Sequence, residues 1–318
     1  MTRLEQALVD LNQQGYALSS LKQLSGGINS AVFKATGSNN RNYALKLYPL
    51  ANRNDPRNRC RTEKIFLNYL QACPVQNTPR LLESNISAGW SLISWIEGHK
   101  PLHLQPADLQ GIAKFIRLIN EGSTEATRSQ LKPASEACQS LSGLIASIAE
   151  RLKKLQSTIP SSEISRKGVE WITKIIEPRF KFISRTLLEK RADCSHWGDL
   201  HASRIASPSD VGLHNTIRTK HGLYFIDFEY AGLDDFSKLA ADWTLQPEHR
   251  MDQSQEEIFT KALVTETKGI TSESWILRYS DIKPLIHIKW CLIMLNRIHC
   301  NDLTKAQLEK TITYFSAM

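Results

Sequence analysis

The spacing of hydrophobic positions changes at Tyr16. Before it, Leu4, Ala7, Leu8 and Leu11 share one face at helical spacing, which predicts an amphipathic helix over 3–13 with Gly15 just beyond its end. Over residues 16–48 the segments SSLKQL, SAVFKAT and YALKLY are rich in β-branched and aromatic residues. The turn Ser25-Gly26-Gly27 and the polar run GSNNRN separate them, as in an antiparallel meander of three strands. Helical spacing returns in RNRCRTEKIFLNYLQAC, where Ile65, Phe66, Tyr69 and Leu70 share a face and Pro74 ends the element. PRLLES and GWSLISWIEG then read as two more strands.

From about residue 104 the pattern is mostly helical for ninety-odd positions, with a polar pair of helices around 137–157 and 161–191 divided by Pro160. A loop-rich block with two short strands fills 192–232. Helices close the chain, the last carrying KWCLIMLNRI, in which Trp290 and the apolar run after it read as core. No internal repeat or low-complexity tract breaks this order. The expected class is α+β: a small antiparallel-sheet lobe over 1–96, a connector near 94–99, and a larger helical lobe over 97–318.

Composition narrows the function classes. A chain of 318 residues that is 41% hydrophobic and 23% charged buries one large core or two lobes. The start MTRLEQALVDLNQQGYALSS lacks a signal-peptide pattern, and no stretch approaches the roughly 18 apolar residues of a membrane span, so a cytoplasmic protein is expected. The six cysteines, at 60, 73, 138, 194, 291 and 300, form no CxxC pair and read as free thiols. A net charge of +8 raises nucleic acid as a partner. The basic residues are dispersed, however, with no tract interleaved with aromatics, and a nucleotide or another small anion meets the same charge.

Four places carry candidate chemistry. In Ser25-Gly26-Gly27-Ile28-Asn29-Ser30 two glycines let the backbone approach a phosphate, and Asn29 and Ser30 can donate to it; taken alone the stretch reads sooner as an ordinary hairpin turn. Lys46, one hairpin later in YALKLY, can reach phosphates under that turn if an anion orients it, and Glu63 on the following helix is of the right type; alone, both suit a solvated surface. Asp234, Asp235 and Asp242 read as caps and braces of the next helix.

The fourth place, SHWGDLHASRIASPSDVGLHN, offers two aspartates. A phosphotransferase loop needs one carboxylate for the acceptor hydroxyl and an amide oxygen five residues on for magnesium. Asp199 is followed at that distance by Arg204, a cation that cannot ligate metal, whereas Asp210 is followed by Asn215. His196, Asp199 and His201 lack a second ligand cluster and read as a solvated loop. After Asn215, NTIR, the turn TKHG and LYFID make a hairpin ending at Asp227, a carboxylate placed for a metal.

In this order the motifs resemble the aminoglycoside/choline phosphotransferase superfamily, of bilobal protein-kinase-like fold, over nearly the whole chain. LSGGINSAVFKA is similar to the glycine-rich loop, YALKLY to the strand with the phosphate-pairing lysine, Arg61-Thr62-Glu63 to the helix supplying its glutamate, and ISWIEG to the hinge. SPSDVGLHN is similar to the catalytic loop, with Pro208-Ser209 where the family more often has His-Gly, and FIDFEYAGLDDFSKLAAD to the metal-binding segment and the aspartates after it.

The resemblance implies transfer of the ATP γ-phosphoryl group to a small-molecule hydroxyl. Asp210 would orient that hydroxyl and Asn215 and Asp227 would hold Mg2+. Gly26, Gly27, Asn29, Ser30, Lys46 and Glu63 would serve the phosphates, and Ser94, Trp95 and Ile96 the adenine. Between residues 101 and 200 stand 15 Lys/Arg against 11 Asp/Glu, which leans toward a neutral or anionic acceptor such as a sugar, with amino alcohols also in the class. The altered Pro208-Ser209 motivates an alternative, a nucleotide-binding pseudokinase with a regulatory role.

Overall fold

The computed structural model describes residues 1–24, 30–53, 55–121, 125–191, 204–268, 274–300 and 302–317. Gly26, Gly27 and Asn29 lie outside these residues, as do His196, Asp199 and His201. The chain forms two compact units, one of Met1–Ser135 with Ala206–Leu233, the other of Glu136–Ile205 with Asp234–Met318. By packing, residues 97–135 and the catalytic-loop segment go with the sheet.

The first unit opens with α1 (Arg3–Gln13), capped by Thr2 and Glu5 in a reciprocal box. Strands β1 (Leu18–Gln23), β2 (Ala31–Gly37) and β3 (Asn42–Leu47) follow, then α2 (Arg59–Gln71), β4 (Leu81–Asn85) and β5 (Trp90–Ser94). The five strands make one antiparallel sheet in the order β1-β2-β3-β5-β4. Ala7 and Leu11 of α1 pack with Phe33, Ala35, Tyr43, Leu45, Trp90 and Leu92 on one face of it. Because strand side chains alternate, Tyr43 and Leu45 go to that cluster and Lys46 goes to the opposite face, toward α2.

Helix α2 starts at Asn58, whose side chain accepts from the Arg61 N–H at 2.9 Å. Its buried stripe of Cys60, Glu63, Phe66, Leu67 and Leu70 recurs every three or four residues, so the only acid in the stripe faces inward with the hydrophobes. Helices α3 (Pro106–Leu118) and α4 (Glu125–Arg128) complete the part before residue 135.

The chain passes between the units at β6 (Arg204–Ser207) and β9 (Gly232–Asp235), which flank the hairpin of β7 (Thr216–Thr219) and β8 (Gly222–Phe225). Within the first unit three contacts pin this hairpin. Asn77 exchanges hydrogen bonds with it, donating to the Leu223 carbonyl and accepting from the Phe225 N–H, each at 2.9 Å. The Arg218 guanidinium grips buried Asp108, at 3.0 and 2.6 Å. Gly98, just after the hinge, runs so close to β7 that an added Cβ would sit 2.3 Å from the Arg218 carbonyl, so only glycine fits.

The second unit is helical: α5 (Leu141–Gln156), α6 (Glu163–Trp171) running through a π-helical turn at Ile172–Ile176 into α7 (Glu177–Arg191), α8 (Phe236–Leu245), α9 (Gln253–Glu266), α10 (Trp275–Met294) and α11 (Lys305–Ser316). The three aspartates expected to brace it do so. Asp235 caps α8 through the Ser237 and Lys238 N–H groups, and Asp234 and Asp242 hold buried Lys238 at 2.7 and 2.9 Å. Lys289 of α10 closes the network on Asp242 at 2.8 Å. Trp290 is half-buried, while Cys291, Leu292 and Leu295 after it are buried as expected. The α+β class holds, and among the described residues no helix is long and apolar enough to cross a membrane.

Candidate active site

Lys46 is enclosed by acids. Its Nζ donates to Glu63 Oε2 at 2.6 Å and to Asp227 Oδ1 at 2.9 Å, with Glu229 Oε2 at 3.8 Å. Burial by itself drives an ammonium toward neutrality, but the Asp227, Glu63 and Glu229 carboxylates outweigh it and hold the Lys46 pKa well above its ordinary value. The lysine is therefore charged and aimed by its partners.

Glu63 spends both oxygens. Oε2 also accepts from the Tyr48 hydroxyl at 2.6 Å, and Oε1 accepts from the Phe228 N–H at 3.1 Å. The helix glutamate thus holds both the strand lysine and the backbone just after Asp227. Phe228 is buried between, its ring 5.2 Å from that of Phe66 on α2.

Asp227 stands two residues past β8 with φ +66°. A left-handed aspartate is costly by about 1–3 kcal/mol unless its surroundings hold it. Here the Ile226 N–H donates to the Asn215 carbonyl at 3.0 Å on one side, and Phe228 is held by Glu63 on the other. The first of these bonds joins the loop of Asp210 to the segment of Asp227.

The Asp210 loop is tight. Asp210 N–H donates to the Pro208 carbonyl at 2.8 Å and Val211 N–H to the Ser209 carbonyl at 3.1 Å, two successive three-residue turns. Ser209 takes φ +65°, the conformation that glycine adopts without cost, and two hydrogen bonds hold it there. Its N–H donates to Ser207 Oγ and its hydroxyl to the Ser135 carbonyl, both at 3.1 Å. A short 3-10 turn over Leu213–Asn215 then brings the Asn215 amide to the Asp210 carbonyl at 2.9 Å. Asn215 is buried, while the side chains of Asp210 and Asp227 are each 36% exposed, so both carboxylates are open to a ligand.

The other expected residues are placed as follows. Ser30 is buried, and its hydroxyl donates to Glu229 at 2.6 Å. Ser94 ends β5, its N–H and Oγ engaged with the backbone of Arg80, while Lys34 covers the Trp95 ring at 4.5 Å. Among the described residues the Trp95 and Ile96 backbones make no hydrogen bond.

Sequence reasoning missed Glu229. It is 4% exposed, and its carboxylate oxygen lies with those of Glu63 and Asp227 in a group no more than 4.8 Å across. Burial, with the like charges of Asp227 and Glu63 adding to it and Lys46 and Ser30 opposing, raises its pKa. The signal was legible: an acid between Phe228 and Tyr230 in an otherwise apolar stretch needs a buried partner. Glu63, Asp227 and Glu229 together offer an all-oxygen donor set, the kind that suits a hard cation such as Mg2+.

Residues 20–166 match the family model of the phosphotransferase enzyme family, APH. No curated protein matches the sequence. Solved structures with the same fold include a choline/ethanolamine kinase family protein from Mesorhizobium loti, 18% identical, covering 99% of this chain and 93% of that one with a TM-score of 0.61. An ethanolamine kinase from Plasmodium vivax is 15% identical over 94% of this chain and 81% of its own, with a TM-score of 0.60. A spectinomycin phosphotransferase, solved with ADP and spectinomycin bound, is 13% identical over 99% and 94%, with a TM-score of 0.63. Over residues 20–166 the chain is thus similar to the phosphotransferase enzyme family, and its fold is the one that these kinase and phosphotransferase structures share.

Proposed function

We propose that the protein transfers the γ-phosphoryl group of ATP to a hydroxyl of a small molecule, of sugar or amino alcohol type. The observation that carries this reading is the single connected path from Lys46 through Asp227 to the Asp210 loop: Lys46 to Asp227 at 2.9 Å, then Ile226 to Asn215 at 3.0 Å, then Asn215 to Asp210 at 2.9 Å. Cation, metal-type carboxylate, amide and open aspartate occur in the order that phosphoryl transfer requires.

Each residue has a distinct task. Asp210, held at its backbone by Asn215, orients the acceptor hydroxyl and takes its proton late, since a loose transition state asks more for alignment than for basicity. Lys46, kept charged by its acids and braced by Glu63, pairs the α- and β-phosphates. Gly26, Gly27, Asn29 and Ser30 would serve the same phosphates; Ser94, Trp95 and Ile96 offer their backbone to adenine. Asn215 and Asp227 would hold Mg2+, with Glu229 beside them, and a bound magnesium ion would offset charge on the phosphate oxygens. In this reading residues 1–96 serve the nucleotide and 97–318 the acceptor, and the protein works in the cytoplasm without a membrane or nucleic-acid partner.

The regulatory pseudokinase alternative rests on Pro208-Ser209. We do not adopt it, because the loop closes around Ser209 with its own hydrogen bonds and leaves Asp210 exposed. The test is ATP consumption with Mg2+ across sugars and amino alcohols, with Asp210→Asn as control and chelation of the metal as a second. Turnover that requires both Asp210 and the metal is expected. Nucleotide binding without turnover on any acceptor would overturn the reading.

A further inference from the structure

Beyond the phosphate-directed residues, the first unit carries a cationic cluster that the proposed reaction has not used. The Arg57 and Arg59 guanidinium carbons each lie 5.3 Å from the centroid of the Tyr230 ring. Asp55 organises both: it takes Arg57 Nε at 2.6 Å and Nη2 at 2.8 Å, and Arg59 Nη2 at 2.7 Å. Arg59 is buried, with a side chain 7% exposed, yet among the described residues its Nε has no hydrogen-bond partner and faces Glu229 Oε1 at 3.8 Å. A buried guanidinium N–H left unpaired is costly, and a ligand oxygen would satisfy it.

The cluster lies on the Asp210 side. The Ser135 N–H donates to the Tyr230 carbonyl at 3.0 Å, and the Ser135 carbonyl accepts from the hydroxyl of Ser209, the residue before Asp210, at 3.1 Å. Charge also favours an anion here: within residues 51–61 stand Arg53, Arg57, Arg59 and Arg61 against Asp55 alone.

We infer that Arg57, Arg59 and Tyr230 recognise an anionic group, a phosphate or a carboxylate, on the acceptor, so that the substrate is an acidic or phosphorylated polyol and not an amino alcohol. This rests on the phosphoryl-transfer reading above and sharpens it. Guanidinium groups are weakly hydrated, permanently charged donors suited to carboxylate and phosphate oxygens, and Asp55 holds these two in place beside the Tyr230 ring. An ammonium acceptor would meet two like charges, and the aromatic ring that could have held it is already stacked against the protein's own cations.

The test is calorimetric titration of the full chain, first with magnesium and a non-hydrolysable ATP analogue, then with four hexoses: glucose, glucosamine, glucuronate and glucose 6-phosphate. At least one anionic hexose is expected to bind about tenfold or more tightly than glucose and glucosamine, and the two anionic arms separate carboxylate from phosphate recognition. Arg57→Ala should abolish that preference, and Arg57→Lys, which keeps the charge without the fork, should restore only part of it. An unchanged melting temperature shows that these variants keep the fold, and charge reversal of distant Lys174→Glu should leave the preference intact. Equal or tighter binding of glucosamine, no binding of either anionic hexose, or a preference that survives Arg57→Ala overturns the inference. Nucleotide binding in the first titration separates this outcome from failure of the phosphoryl-transfer reading, which a protein that binds no nucleotide would signal.

Discussion

His214 Nε2 lies 3.3 Å from Asp210 Oδ1, while the next residue, Asn215, donates to the Asp210 backbone carbonyl at 2.9 Å. Consecutive residues of one 3-10 turn therefore hold the side chain and the main chain of the same aspartate. Among the described residues no hydrogen bond engages the second Asp210 oxygen, which the proposed reaction gives to the acceptor hydroxyl.

If alignment of Asp210 dominates, His214→Ala should lower kcat about tenfold or more, with little change in the acceptor KM. His214→Gln, whose amide nitrogen reaches a similar place, should recover most of the loss. Steady-state kinetics on both variants checks this, and a change confined to KM would count against a positioning role.

Removing Lys46 should cost stability as well as activity. Three carboxylates, those of Glu63, Asp227 and Glu229, then share a buried space without their cation. Lys46→Ala is expected to destabilise by about 3–5 kcal/mol, the range for breaking a buried pair. Adding Glu63→Gln should recover part of that, a coupling that denaturant unfolding of the single and double variants would reveal. Strict additivity would contradict the geometry.

Ser209 carries two opposed contributions, a left-handed backbone and a hydroxyl bond to Ser135. Ser209→Ala keeps the strain and loses the bond, and should destabilise by about 1 kcal/mol. Ser209→Gly relieves the strain but loosens the unfolded chain, so its effect should be smaller than that of alanine. Denaturant midpoints that rank alanine as the milder change would refute this account.

His287 of α10 makes stability depend on pH. It is buried, its Nε2 is 3.0 Å from the Tyr314 carbonyl, and among the described residues its Nδ1 has no partner. Burial first, then the Arg250 and Lys283 cations, push its pKa down from 6.5 to about 4. A histidine depressed on folding favours the native state while both forms are neutral, above its unfolded pKa. That contribution, of the order of 3 kcal/mol, drains away as pH falls from about 6.5 to about 4. Melting temperature should drop across this window, and His287→Phe should flatten the drop; an identical slope in the variant would assign it elsewhere.

Periodicity made the elements legible, because helix and strand bury one face at different spacings. The α1 helix, five strands, α2 and the hairpin before Asp227 all lie within a few residues of their expected places. Spacing favoured Asp210 over Asp199, since only Asp210 has an amide five residues on; the structure adds the bond from that amide to the Asp210 carbonyl, and Asp199 lies outside the described residues. The Lys46–Glu63 pair was expected from residue type and order, and the fold makes it; that Tyr48 and the Phe228 N–H share the same acid was not legible, because both contacts come from packing.

What the sequence by itself determined is therefore the local order: which segments are helix or strand, and which polar residues stand at fixed short intervals. Only the tertiary structure decided the pairings across long separations, Ser30 with Glu229 and Lys46 with Asp227 above all. The physical reason is that a backbone's periodicity is set by neighbours a few residues away. The charge balance of a buried site is set instead by whichever groups the packed core brings within a few ångströms, however distant they are along the chain.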